Sequence, residues 1–95
     1  MNLEILIDSA AKKHGSLGEL ALSLGKNQSR LSEWKKGKQK PDANEIAYLA
    51  DCAGLPVLET VGEIQMQLDN RFAAIWQTAL KKLHDVDHAS GWRKR

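Results

Sequence analysis

The chain has 95 residues, a formal net charge of +2, one cysteine and an apolar fraction of 42%. That length fits one domain, and that apolar content supports a modest core and excludes wholesale disorder. Cys52 alone excludes an intrachain disulfide, no apolar run has the length that crosses a bilayer, and aromatic residues make only 5%, which favours helices over sheet.

The opening MNLEILIDSA has no basic segment before its apolar residues and does not read as a secretion signal, so a cytoplasmic protein with no membrane partner is expected. Leu3, Leu6, Ile7, Ala10 and Ala11 recur at helical spacing and predict a first helix from about Leu3 to His14, closed by Gly15. Ser16 followed by Glu19 is the signature of a capping box. Leu17, Leu20, Ala21 and Leu24 form the stripe of a second helix, which stops at Gly25. Asn27 is a plausible N-cap for a third helix over Gln28 to Lys36, with Leu31 and Trp34 inward and Gly37 at its end. Two short helices joined by so brief a turn must bend sharply, as in a helix-turn-helix.

Pro41 or Asp42 begins a fourth helix, with Ile46, Ala47, Leu49, Ala50 and Ala53 on its core side and Gly54 after it. Pro56 suits the first turn of a fifth, whose apolar positions are Val57, Leu58, Val61, Ile64 and Leu68. Asp69 or Asn70 marks a break. A sixth helix is expected from about Arg71 to Leu83, carrying Phe72, Ile75, Trp76, Ala79, Leu80 and Leu83, followed by a loose tail. The expected organisation is an all-α bundle of five to six helices: 1–68 as the main unit, 69–84 as a C-terminal helix for core capping or dimerisation, and 85–95 as a flexible basic tail.

Charge is unevenly placed. Residues 26–41 hold six basic residues and one acidic, whereas 42–70 hold six acidic and no Lys or Arg. A positive sector beside a negative one can orient a nearly neutral molecule on a polyanion. With Leu31 and Trp34 inward, Gln28, Ser29, Ser32, Glu33 and Lys36 lie largely on the other side. Short hydrogen-bonding groups at the helix start and lysines at its end suit insertion into a DNA major groove. Gln28 and Ser29 would reach base edges, while Arg30, Lys35, Lys36, Lys38 and Lys40 would meet phosphates. Glu33 repels phosphate but can accept from a cytosine amino group or hold Arg30 or Lys36. From charge and spacing alone the stretch also fits an ordinary solvated helix.

SLGELALSLGKNQSRLSEWKKGKQKP, residues 16–41, resembles the helix-turn-helix of the Cro and phage-repressor type. Leu20-Ala21, Leu24-Gly25, Leu31-Ser32, Trp34, Gly37 and Pro41 match its pattern, and Ile46, Leu49, Ala50 and Leu55 continue it, so the likeness covers roughly residues 3–60. More weakly, the remainder is similar to small regulators of filamentous phages and prophages. The resemblance implies a lambda-repressor-like bundle and sequence-specific operator binding, usually as a symmetric homodimer, with repression as the simplest outcome. It places base reading on Gln28, Ser29, Ser32 and Glu33, and phosphate contact near Ser16, Leu17, Asn27, Lys38, Lys40 and Asn44. The chain departs from the family at Leu17, where a glutamine is common, and at Lys35, where a glutamate is common.

Paired half-sites require a dimer. Phe72, Ile75, Trp76 and Leu80 are the candidate interface, with intrachain core capping the competing role for Phe72 and Trp76. Trp92-Arg93-Lys94-Arg95 is either an arm across phosphates or a solubilising end. His84 and His88 share a helical spacing without a third ligand, so no metal is expected, and no cofactor either. Cys52 has no histidine nearby in sequence, no carboxylate pair converges, and no glycine-rich phosphate loop occurs, so no enzyme is expected. The alternative function is a protein-interaction module, antirepressor-like, that docks the acidic helices 42–68 on another protein. A nonspecific nucleoid-type binder is a third reading.

Overall fold

The computed structural model describes residues 1–89, with side chains through residue 85. These residues form an all-α bundle: α1 (Leu3–His14), α2 (Leu17–Ser23), α3 (Gln28–Lys36), α4 (Ala43–Cys52), α5 (Val57–Leu68), a 3-10 turn (Asn70–Phe72) and α6 (Ala73–Ala89). No described helix is long and apolar enough to cross a membrane.

Capping decides most boundaries. Asn2, Ser16, Asn27 and Asp42 each accept a backbone N–H three residues on through a side-chain oxygen, satisfying a donor that the helix leaves open. The reciprocal box expected at Ser16 and Glu19 is only half made. Ser16 Oγ accepts from the Glu19 N–H at 3.1 Å, but the Glu19 carboxylate takes the Ser16 hydroxyl at 3.3 Å. That carboxylate lies over Gly15, where a Cβ would come within 2.9 Å of it. The complete box is at Asp42 and Glu45, each holding the other's backbone N–H at 2.8 Å.

The core joins Leu3, Leu6, Ile7 and Ala10 of α1 to Leu20, Ala21, Leu31, Trp34, Ile46, Leu49 and Ala50, with Val61 and Ile64 added from α5. α1 packs against α2, α3 and α4; α4 packs on α5; α6 packs mainly on α5 and the 3-10 turn. Each fully buried Leu or Ile is worth roughly 1.5–3 kcal/mol over leaving it in water.

Three expectations for the second half need correction. Val57 and Leu58, assigned to the apolar stripe of α5, are exposed, whereas Thr60 and Gly62 are buried. Hydrophobic periodicity cannot register Gly62, which is where α6 comes close: a Cβ there would lie 3.0 Å from Leu80 Cδ2 and 3.2 Å from Trp76 Cε3. Pro56 stands at the N-cap rather than inside the first turn. And α6 starts at Ala73, after the 3-10 turn, and runs to Ala89, so residues 85–89 are helical rather than tail. Neither Gly nor Pro interrupts residues 84–89, so nothing stops a helix at Leu83. Trp92-Arg93-Lys94-Arg95 lies outside the described residues.

The α5–α6 corner is fastened by charge. Arg71 donates to Asp69 through Nε at 2.9 Å, Nη2 at 2.7 Å and its backbone N–H at 3.1 Å. The Arg71 side-chain hydrogen bonds, its backbone N–H and its charge, with Lys40 nearby, hold the Asp69 carboxyl down from 3.8 to about 2. We expect Asp69 to titrate near 2 by carbon NMR, and Arg71→Gln to return it toward 3.8. Because the folded value is the lower one, the linked stability is present above pH 3.8 and is lost as pH falls toward 2. At the helix contact, Gly62→Leu should overpack against Trp76 and Leu80. A loss of about 2 kcal/mol in urea unfolding is expected.

Candidate nucleic-acid interface

α2 and α3 are joined by Leu24 to Asn27, and the turn is closed by backbone geometry. The Lys26 N–H donates to Ala21 O at 2.9 Å and the Gly25 N–H to Leu22 O at 3.0 Å, with Gly25 left-handed at φ 70. This paired closure requires the left-handed residue that glycine supplies at little cost. The same pair of bonds ends α3 at Gly37, through Lys38 N to Glu33 O and Gly37 N to Trp34 O. The turn borders a cleft of about 260 Å³ lined by Gly25, Lys26, Asn27 and Arg30.

α3 is held by its inner face, where Leu31 is fully buried and Trp34 is 2% exposed. At 100° per residue this turns Ser29, Ser32, Glu33 and Lys36 outward. Gln28, Ser29, Arg30 and Lys36 are exposed, and Ser32 and Glu33 are half-buried. Two of these side chains have a defined setting. Asn27 Oδ1 accepts the Arg30 N–H at 2.9 Å, so it is the oxygen of that amide. The Ser29 hydroxyl, 2.8 Å away, must therefore donate to it. Ser29 is left with lone pairs alone to offer a partner. Gln28 leans toward α2, its Oε1 standing 3.3 Å from where a Cβ on Gly18 would be.

The cations are less free than their number suggests. Lys35 Nζ lies 2.6 Å from Asp8 Oδ1 and braces α3 to α1. Lys40 Nζ donates to Leu68 O at 2.8 Å, at the end of α5. Lys26 pairs with Glu45 at 3.2 Å, and Arg30 faces Glu33 at 3.9 Å. Among the described residues, that leaves Lys36 and Lys38 as the cations of this sector with neither an ion pair nor a side-chain hydrogen bond to the chain. Lys35 and Lys40, assigned to phosphate from the charge run, thus make contacts within the chain. Lys35 lies on the flank of α3 next to the buried face, and Lys40 lies where the loop meets the α5–α6 corner.

The remaining assigned positions divide. Ser16 and Asn27 are exposed but use their side-chain oxygens as caps. Leu17 is half-buried and packs against the core, so it offers phosphate only its backbone. Asn44 is exposed on the first turn of α4, between the Asp42 and Glu45 carboxylates that form the capping box. Of the residues named for dimerisation, Phe72 and Ile75 are exposed, while Trp76 and Leu80 are half-buried over Gly62. Asp8 and Glu45 matter here as partners of Lys35 and Lys26. Each lies 19 or more residues from its lysine, and no local sequence signal connects them.

Elsewhere, His84 Nε2 stands 3.4 Å from Glu59 Oε2, and no group of three metal-binding side chains occurs among the described residues. Cys52 is half-buried. No family model, curated protein or solved structure matches the chain.

The Lys40 placement is open to direct test. A cation on a helix's last carbonyls contributes about 0.3–1 kcal/mol at an exposed site. Lys40→Ala should lower the urea midpoint by a small, measurable amount, while Lys38→Ala leaves it in place.

Proposed function

We propose that this protein is a sequence-specific double-stranded DNA-binding regulator, most simply a repressor, that reads the major groove with α3. The observation that carries the reading is the outer face of α3: short hydrogen-bonding side chains on the first turn, with Lys36 and Lys38 at the far end. The helix-turn-helix likeness of residues 16–41 to Cro and phage repressors supports it, and so does the backbone-locked turn between α2 and α3. Ser29, whose proton is engaged by Asn27, is suited to accept from an exocyclic amino group, and so favours cytosine or adenine at its position. Gln28 can pair with adenine through one donor and one acceptor. Lys36 and Lys38 supply sequence-independent attraction to phosphates. The Arg30–Glu33 pair is long and exposed, so it can open to a phosphate at little cost.

A second reading has one observation in its favour. Four of the six cations in the 26–41 sector are engaged within the chain. That weakens the positive face and fits a protein-interaction module better than it fits a nonspecific DNA binder.

Selection of bound duplexes from a random pool separates these readings. A regulator returns one short, roughly palindromic site; a nonspecific binder returns none, and a protein module binds no duplex at low salt. On the selected site, Ser29→Ala should cost about 1–3 kcal/mol of discrimination at one base pair. Lys38→Ala should instead weaken all duplexes alike and lower the salt slope by about one. A Ser29→Ala protein with unchanged preference would remove Ser29 from base reading.

A further inference from the structure

We infer that Gly18 is a positioning residue for base recognition: the space left by its missing side chain holds the Gln28 amide against α2 before any DNA is met. The inference rests on the DNA reading of α3 and adds to it a residue on the preceding helix.

Glycine is unfavourable at this place. Inside a helix it is worse than alanine, because it has more backbone freedom to lose on folding. The other described glycines each have a visible reason to be glycine. Gly15, Gly25, Gly37 and Gly54 take positive φ values, and Gly62 seats Trp76 and Leu80 of α6. Gly18 has neither reason. It lies in the first turn of α2, its φ is not positive, and no side chain of α1, α4, α5 or α6 comes within 4 Å of where its Cβ would stand.

What a side chain there would meet is specific. Among the described residues, apart from its chain neighbours and the backbone of its own helix, two atoms lie within that 4 Å: Gln28 Oε1 at 3.3 Å and Ser16 Oγ at 3.9 Å. The Ser16 distance is ordinary van der Waals contact. The Gln28 distance is tighter than a methyl group normally accepts, so an alanine would move the amide off α2. Gln28 is exposed and its amide is the far end of a flexible side chain, so the amide gives way and the helix does not. The effect of a methyl group at position 18 therefore falls on the candidate base reader and leaves the core untouched.

Glutamine is among the side chains with most rotamer freedom to lose, and a free one loses it when it meets a base edge. A glutamine already settled over Gly18 has lost part of that freedom on folding, and its amide plane is set in advance. Preorganisation of this kind sharpens discrimination without adding a contact to DNA.

Duplex selection and urea unfolding of the full chain test the inference together. The base pair to follow is the one whose preference Gln28→Ala relaxes. Gly18→Ala should raise the urea midpoint, since alanine suits the helical backbone there. The same variant should cut discrimination at that base pair by about three- to tenfold. In a Gln28→Ala background it should change discrimination no further, because both substitutions act through one side chain. In the DNA-free protein, NMR couplings should show one χ1 rotamer for Gln28 in the wild type and averaging in Gly18→Ala.

An unchanged preference in Gly18→Ala overturns the inference. Equal weakening on every duplex, or a loss that persists without Gln28, also overturns it, because the added methyl group would then be obstructing DNA directly. A lowered urea midpoint would give Gly18 a role in the fold and has the same consequence, as does an averaged Gln28 rotamer in the wild type. A wild type that selects no duplex overturns the DNA reading and this inference with it. A selected site that Gly18→Ala leaves unaltered removes only Gly18 and keeps α3 as the reading helix.

Discussion

The burial of Leu31 and Trp34 is the constraint on which the outer face of α3 depends. Nine residues make two and a half turns, too few for an isolated helix to persist in water. Packing on α1 and α2 holds α3 in place, and Trp34 is the largest side chain in that joint. Each helical residue turns the face by 100°, so a slip of one position would replace Ser29, Ser32 and Glu33 on the outer face with different chemistry. The Asn27 cap and the Gly37 closure fix both ends of the same segment. Two buried side chains of this size contribute several kcal/mol, a large share of the stability expected for a domain this small.

Electrostatics in this chain works inward as much as outward. Lys35–Asp8, Lys26–Glu45 and Lys40–Leu68 O each join two elements around α2 and α3, and together they tie this segment to α1, α4 and the end of α5. Contacts of this kind at partly exposed sites are individually weak, and they act more as positioning braces than as sources of stability. One consequence concerns recognition. On the proposed DNA-binding reading, with few unpaired cations, the long-range attraction of this face to phosphate would be moderate, and discrimination would fall to short-range hydrogen bonds from the first turn of α3.

The second half has a different physical character. α1 to α4 share one core, whereas α6 is attached chiefly to α5, through Trp76 and Leu80 seated on Gly62. A helix supported on one side leaves apolar surface in water at the contact: Ile75 on α6, Phe72 in the 3-10 turn and Leu58 on α5 are exposed. The Asp69–Arg71 clamp and the Lys40 contact set the corner from which α6 departs, so the direction of that face is fixed by charge as well as by packing.

The amino-acid sequence by itself determined the helices that carry strong local signals. α1, α3 and the N-terminus of α4 are legible because capping side chains, glycine stops and a 3.6-residue apolar period agree there. The outward set on α3 follows from Leu31 and Trp34 alone. Tertiary structure decided the remainder, because it depends on neighbours distant along the chain. Nothing local marks Gly62 as the seat of α6, Asp8 as the partner of Lys35, or Leu68 O as the acceptor for Lys40. A run of lysines shows how much charge a segment carries; which of those charges remain available is set by the carboxylates and carbonyls that folding brings within hydrogen-bond reach.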